Sequence, residues 1–215
     1  MRVALLGLVV LALAAGCGSD DNGNGDEPPV ASGECENVDA PEARDPGTRE
    51  APTEPLDASK TYALIVETNC GTFTIMLDLE TAPNTSASLV VLAEDGYFDD
   101  TIFHRIAPEF VIQGGDPTQS GGGGPGYSTV DPPPSDARYV KGVVAMAKTQ
   151  FEPPGTSGSQ FFVVTREDAG LPPEYAIVGE VTEGLDVVEL IGTLGTPEEE
   201  PTQPVVISSL TVSET

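Results

Sequence analysis

From Lys60 onward the apolar residues of this chain come in short runs, divided by Gly, Pro, Asn and Asp. Runs of that length, rich in Val, Ile, Phe and Thr, suit strands better than helices. Residues 62–68 and 72–78 flank Asn69-Cys70-Gly71 and read as a hairpin. In the second of them Phe73, Ile75 and Leu77 alternate with Thr72, Thr74 and Met76, which turns one apolar face inward. Further strands are expected at 101–106, 110–114, 143–147, 161–164, 176–181 and 205–212. Two stretches follow a helical period instead. Thr81 offers an N-cap, Pro83 a first-turn residue and Gly96 a stop around apolar positions 88–92. Leu185, Val187, Val188, Leu190 and Ile191 give a second helical face, closed by Gly192. About eight strands and two helices predict a mainly β domain: a closed eight-stranded antiparallel barrel capped by the helices.

The segment before Lys60 follows neither pattern. One basic residue, Arg2, precedes an apolar run from Val3 to Ala15 that is short for a membrane span and ends in small residues. Residues 1–16 therefore read as a signal peptide. Ala14-Ala15-Gly16-Cys17 resembles a bacterial lipobox, in which Cys17 would be acylated and become the mature N-terminus, a plain secretory signal that contains a cysteine being the alternative. Between 18 and 58, twelve carboxylates face only Arg44 and Arg49, and the large aliphatic residues are Val30, Val38 and Leu56. So little apolar surface does not repay chain entropy. Residues 17–58 are expected to be a disordered acidic tether that anchors a domain over 59–215 to a bacterial membrane, outside the cytoplasm.

A formal charge of −26 argues against nucleic acid as a partner, since the phosphate backbone requires a basic surface. With Cys17 assigned to lipid, Cys35 and Cys70 remain. Outside the cytoplasm they are expected to form one bridge, two free thiols being the alternative. Neither has a His or Cys neighbour at metal-ligand spacing, so no metal or other cofactor is expected.

The stretch Phe103-His104-Arg105 through Gln113-Gly114-Gly115-Asp116 carries the functional signal. Alternation along one strand would set Arg105 on the face of Phe103 and opposite His104. A cation, a large aromatic and the amide of Gln113 would then meet beside apolar side chains, a mix suited to an uncharged, partly apolar ligand. His104 is the sole histidine, so nucleophilic triads have no base, and a packed, satisfied ring is the expectation for it. The loop 117–127 is rich in glycine but lacks the Gly-Lys-Ser/Thr ending of a phosphate cradle.

The FHR element running to QGGD, followed by Gly158-Ser159-Gln160-Phe161-Phe162-Val163, closely resembles the two signatures of the cyclophilin-type peptidyl-prolyl isomerases. The similarity spans residues 60–212 and implies a barrel with its helices at the ends. It implies that Arg105 is the catalytic arginine, acting with Phe110 and Gln113. Phe110, Val111, Phe162 and Leu171 would line a slot for a proline ring. Gln113 and the backbone around Ala147 and Lys148 would hold the peptide, with Gln160 and Tyr175 nearby. Proline-containing polypeptides are the implied substrates, and a monomer is the expected state. The chain departs from many relatives at Val111 (Met), Lys148 (Asn), Gly170 (Trp) and Tyr175 (His), so cyclosporin binding is not implied. The alternative is a non-catalytic module that binds proline peptides, which would have no need of Arg105.

Overall fold

A computed structural model of the chain describes residues 33–215. The run 3–15 and Cys17 lie outside the described residues. Within them are β1 (Tyr62–Thr68), β2 (Gly71–Leu77), α1 (Pro83–Glu94), β3 (Thr101–Ile102), β4 (Arg105–Ala107), β5 (Val111–Gly114), β6 (Thr129–Val130), β7 (Val143–Met146), β8 (Thr156–Ser157), β9 (Phe161–Val164), β10 (Ile177–Glu183), α2 (Leu185–Gly192) and β11 (Val206–Glu214).

Nine of these strands form one antiparallel sheet in the order β3-β11-β1-β2-β10-β7-β9-β5-β4, and β6 pairs with β8 apart from it. The predicted hairpin is present, with Val66 opposite Phe73 and the inward face of β2 buried at Phe73, Ile75 and Leu77. The expected closed eight-stranded barrel is not. The predicted strand 101–106 breaks at Phe103-His104: β3 pairs with β11 at one edge of the sheet, and β4 pairs with β5 at the other. Chain continuity thus links the two edges, but among the described residues no ladder of hydrogen bonds joins them. The sheet is a curled half-barrel. The main core fills its inside with Leu64, Val66, Phe73, Ile75, Phe98, Phe103, Ile112, Met146, Phe161 and Val163. Helix α1 packs on β11 and β6, and α2 on β2, β4 and β5.

Helix α1 does not take its cap from Thr81. Its N-cap is Ala82, which has no side-chain oxygen, and the Thr81 amide donates to Asp78 Oδ1 at 3.0 Å. The orphan donors of the first turn turn to a distant carboxylate instead. Asp131 Oδ2 accepts from the Thr85 amide at 2.7 Å and its hydroxyl at 2.6 Å, and Oδ1 from Asn84 Nδ2 at 2.8 Å.

The described part of the expected tether, residues 33–58, lies along the domain. It has no helix or strand, yet it is fixed along the domain by polar contacts that hydropathy does not register. Cys35 is bridged to Cys70. The amides of Arg44 and Arg49 donate to the carbonyls of Pro117 and Pro125 at 2.9 Å each. Arg44 Nη2 reaches the carbonyls of Tyr97 and Asp99 at 2.6 Å, and the Arg49 guanidinium lies 4.7 Å from the Tyr97 ring centre.

Candidate functional site

Strands β4, β5, β9 and β7 lie side by side, and their registers align Arg105, Gln113, Phe162 and Ala145 in one row. The next row, Ile106, Ile112, Val163 and Val144, points the other way into the main core. Period-two alternation thus gives the sheet a second apolar surface on its outside, where Val111, Tyr139, Ala145, Phe162 and Val164 cluster with Phe110, Leu171 and Tyr175. A cavity of about 190 Å³ opens there, lined by Arg105, Phe110, Val111, Gln113, Ala147, Lys148, Phe162, Leu171 and Tyr175. A second cavity of about 480 Å³ shares Gln113, Ala147 and Lys148, and adds Gln160 and the glycine-rich loop. The structure therefore brings together all ten groove residues named from the sequence.

The aromatic partner of Arg105 is not Phe103. The break between β3 and β4 resets the alternation, so Phe103 is fully buried against Phe73 and Phe161. Phe110 takes the place expected of it, its ring centre 6.0 Å from the guanidinium. It is reached by the tight turn after β4, where Glu109 has φ 53° and the Phe110 amide donates to the Ala107 carbonyl.

Polar contacts fix the groove from one side to the other. Arg105 Nε donates to Glu199 Oε2 at 2.6 Å and Nη1 to Gln113 Oε1 at 3.1 Å. Gln113 Nε2 donates to Gln160 Oε1 at 3.0 Å, and Gln160 Nε2 to the Gly123 carbonyl at 2.9 Å. The Ala147 amide donates to the Gln160 carbonyl at 2.9 Å, which ties the main chain after β7 to the approach of β9. Lys148 directs its ammonium inward: its side chain is 2% exposed, with Nζ 3.0 Å from Glu174 and bonded to the carbonyls of Thr149 and Glu152.

His104 packs against Gly121, but its Nδ1 is buried without a partner among the described residues, so the ring is not fully satisfied as expected. Burial pushes its pKa below the ordinary value; Asp116 opposes that shift and Arg105 adds to it. Burial alone would push Asp116 up, but bonds from the amides of Gly123, Thr118 and Gly121 and the Thr118 hydroxyl bring it below the ordinary carboxylate range. Two residues escaped the sequence reading. Tyr139 underlies the groove, bonding the Tyr175 carbonyl and amide at 2.7 and 3.0 Å. Glu199 was one of three consecutive glutamates with no mark to separate it from solvated charge.

The family profile described as cyclophilin type peptidyl-prolyl cis-trans isomerase/CLD matches residues 63–212. A peptidyl-prolyl cis-trans isomerase-like 1 of Neurospora crassa is 39% identical over 139 residues, covering 63% of this chain and 83% of the relative. The probable peptidyl-prolyl cis-trans isomerase A of Mycobacterium leprae is 37% identical, covering 69% and 90%. Among solved structures, a cyclophilin type isomerase of Cryptosporidium parvum superposes with a TM-score of 0.65 at 28% identity. That match covers 71% of this chain and 98% of the other. With its fold, its groove and both signatures in place, the chain belongs to the cyclophilin-type peptidyl-prolyl cis-trans isomerases and is an enzyme of prolyl bond rotation.

Proposed function

We propose that Arg105 is the catalytic residue of this isomerase, donating a hydrogen bond to the prolyl nitrogen as the Xaa-Pro bond twists. The observation that carries this is the row of Arg105, Gln113 and Phe162 across three adjacent strands, which sets a guanidinium beside an apolar slot. Amide resonance opposes rotation with a barrier of about 18–20 kcal/mol. Twisting removes the nitrogen from conjugation and leaves its lone pair free to accept. A fixed cationic donor then interacts more strongly with the twisted state than with either planar isomer, and the barrier falls. No covalent bond forms and no cofactor is required.

In this reading Phe110, Val111, Phe162 and Leu171 hold the proline ring, with Tyr175 behind them. Gln113, oriented by Gln160, and the main chain at Ala147 and Lys148 hold the flanking peptide. The Cryptosporidium parvum isomerase was also solved in the presence of the dipeptide Ala-Pro, which supports a proline-containing peptide as the ligand class. Chemical shifts on titration with a Xaa-Pro peptide test the assignment. They should move at Phe110, Gln113 and Phe162, and far less with an Ala-for-Pro control; shifts confined to another face would contradict it.

The proposal extends to location. The apolar run before Ala14-Ala15-Gly16-Cys17 supports an acylated Cys17 anchoring the enzyme outside the cytoplasm, on flexible or unfolded proline-containing chains. The Cys35–Cys70 bridge fits an oxidising compartment. Membrane fractionation and mass spectrometry of the mature N-terminus test this. Cys17→Ser should release the protein or block its processing, whereas a mature form lacking Cys17 would sink the anchor.

A further inference from the structure

Glu199 lies in the loop between α2 and β11, and its φ of 66° falls in the left-handed region. Glycine is the usual occupant of such a position, because a Cβ there crowds the neighbouring carbonyl. The strained conformation has a consequence for β4, whose outer edge has no strand beside it among the described residues. Glu199 grips that edge twice. Its carbonyl accepts the Ile106 amide at 2.9 Å, and its carboxylate accepts Arg105 Nε at 2.6 Å. The loop itself is drawn tight: the Glu199 amide donates to the Thr196 carbonyl and the Thr196 amide to the Glu200 carbonyl, each at 2.9 Å. Gly195 approaches so closely that a Cβ there would fall 2.2 Å from the Ile106 carbonyl oxygen.

We propose that Glu199 is a positioning residue for Arg105: it fixes the plane of the guanidinium so that the free donor is aimed before the peptide arrives. This rests on Arg105 being the catalytic group. The Arg105 side chain is about one-third exposed, and a long side chain that is part solvated has many orientations open to it. Gln113 alone, at 3.1 Å on one terminal nitrogen, leaves the plane free to swing about that bond. A second, charge-assisted bond on Nε sets the plane, since the guanidinium is rigid. Among the described residues no acceptor meets Nη2, which is thereby left to the ligand. Both ends of the pair are part exposed, so its effect belongs to turnover and not to folding.

The test is steady-state isomerisation of a Xaa-Pro peptide by the full-length chain. Glu199→Gly removes the carboxylate and suits the backbone, and Glu199→Asn, which tolerates the left-handed region but is too short to reach Arg105, repeats the deletion. Both should lower kcat by roughly five- to twentyfold with KM within about twofold, and neither should lower the melting temperature. Glu199→Gln keeps an acceptor for Nε and should restore most of the rate. In an Arg105→Ala background Glu199→Gly should have no further effect. Unchanged or raised turnover in Glu199→Gly and Glu199→Asn, or a Glu199→Gln no better than either, would overturn the positioning role. If Arg105→Ala itself kept the parent rate, the catalytic reading of Arg105 would fail instead.

Discussion

Reducing the Cys35–Cys70 bridge should destabilise the protein without disabling it. The bridge spans a sequence separation of 35 residues. Loop-closure entropy for a ring of that size gives about 3.8 kcal/mol of stabilisation at 25 °C, acting through the unfolded chain. For a domain of this length, one kcal/mol moves the melting temperature by about 2–4 °C, so the loss is on the order of 10 °C. The structure also says how far the damage spreads. The Glu36 amide, bonded to the Asn69 carbonyl, sits next to the bridge and should lose protection from hydrogen exchange. The amides of Arg44 and Arg49 are held by Pro117 and Pro125 further along, and should keep theirs. Strands β4, β5, β9 and β7 share no residue with this arm, so kcat/KM should stay within about twofold. Calorimetry, exchange and isomerase assays on Cys35→Ser, with intact mass after alkylation to verify the bridge in the parent, measure all three. An unshifted melting temperature would refute the linkage argument; exchange spreading to Arg49 would refute the anchoring of the arm.

Asp131→Ala should cost about 1–3 kcal/mol, because it strips the buried amide and hydroxyl of Thr85 of their acceptor at the start of α1; a denaturant melt within 0.5 kcal/mol of the parent (about the scatter of a neutral surface change) would contradict that. His104, the sole histidine, should titrate below the ordinary value of about 6.5, as followed by its ring signals in NMR. Since the folded pKa is depressed, its contribution to stability is complete above the unfolded pKa and is lost as pH falls toward the folded one; a midpoint at or above about 6.5 would contradict the burial argument.

Much of the site was legible because its residues are local in sequence. Arg105, Phe110 and Gln113 sit within one turn and two strands, and Gln160 and Phe162 in one strand and its approach, so short signatures carry them. The hairpin and the core face of β2 were legible through alternation alone. What alternation could not show was its own interruption: Phe103-His104 is where the chain crosses between sheet edges, which sent Phe103 inward and turned an expected eight-stranded closed barrel into nine strands with open edges. The contacts of the arm were not legible for a different reason. Hydropathy weighs side chains, and apart from Leu56 on the core this segment docks through its main chain, two arginines and a sulfur bridge. Glu199 and Asp131 act across 94 and 46 residues of chain, and nothing in their neighbours points so far.

If Arg105 acts on the twisted state of the Xaa-Pro bond, turnover and peptide affinity should part company in Arg105→Ala. The variant's kcat should fall by about ten- to a thousandfold, while the dissociation constant of the same peptide changes by less than about fivefold. Catalysis at the parent rate, or a loss that lies wholly in affinity, would contradict that role.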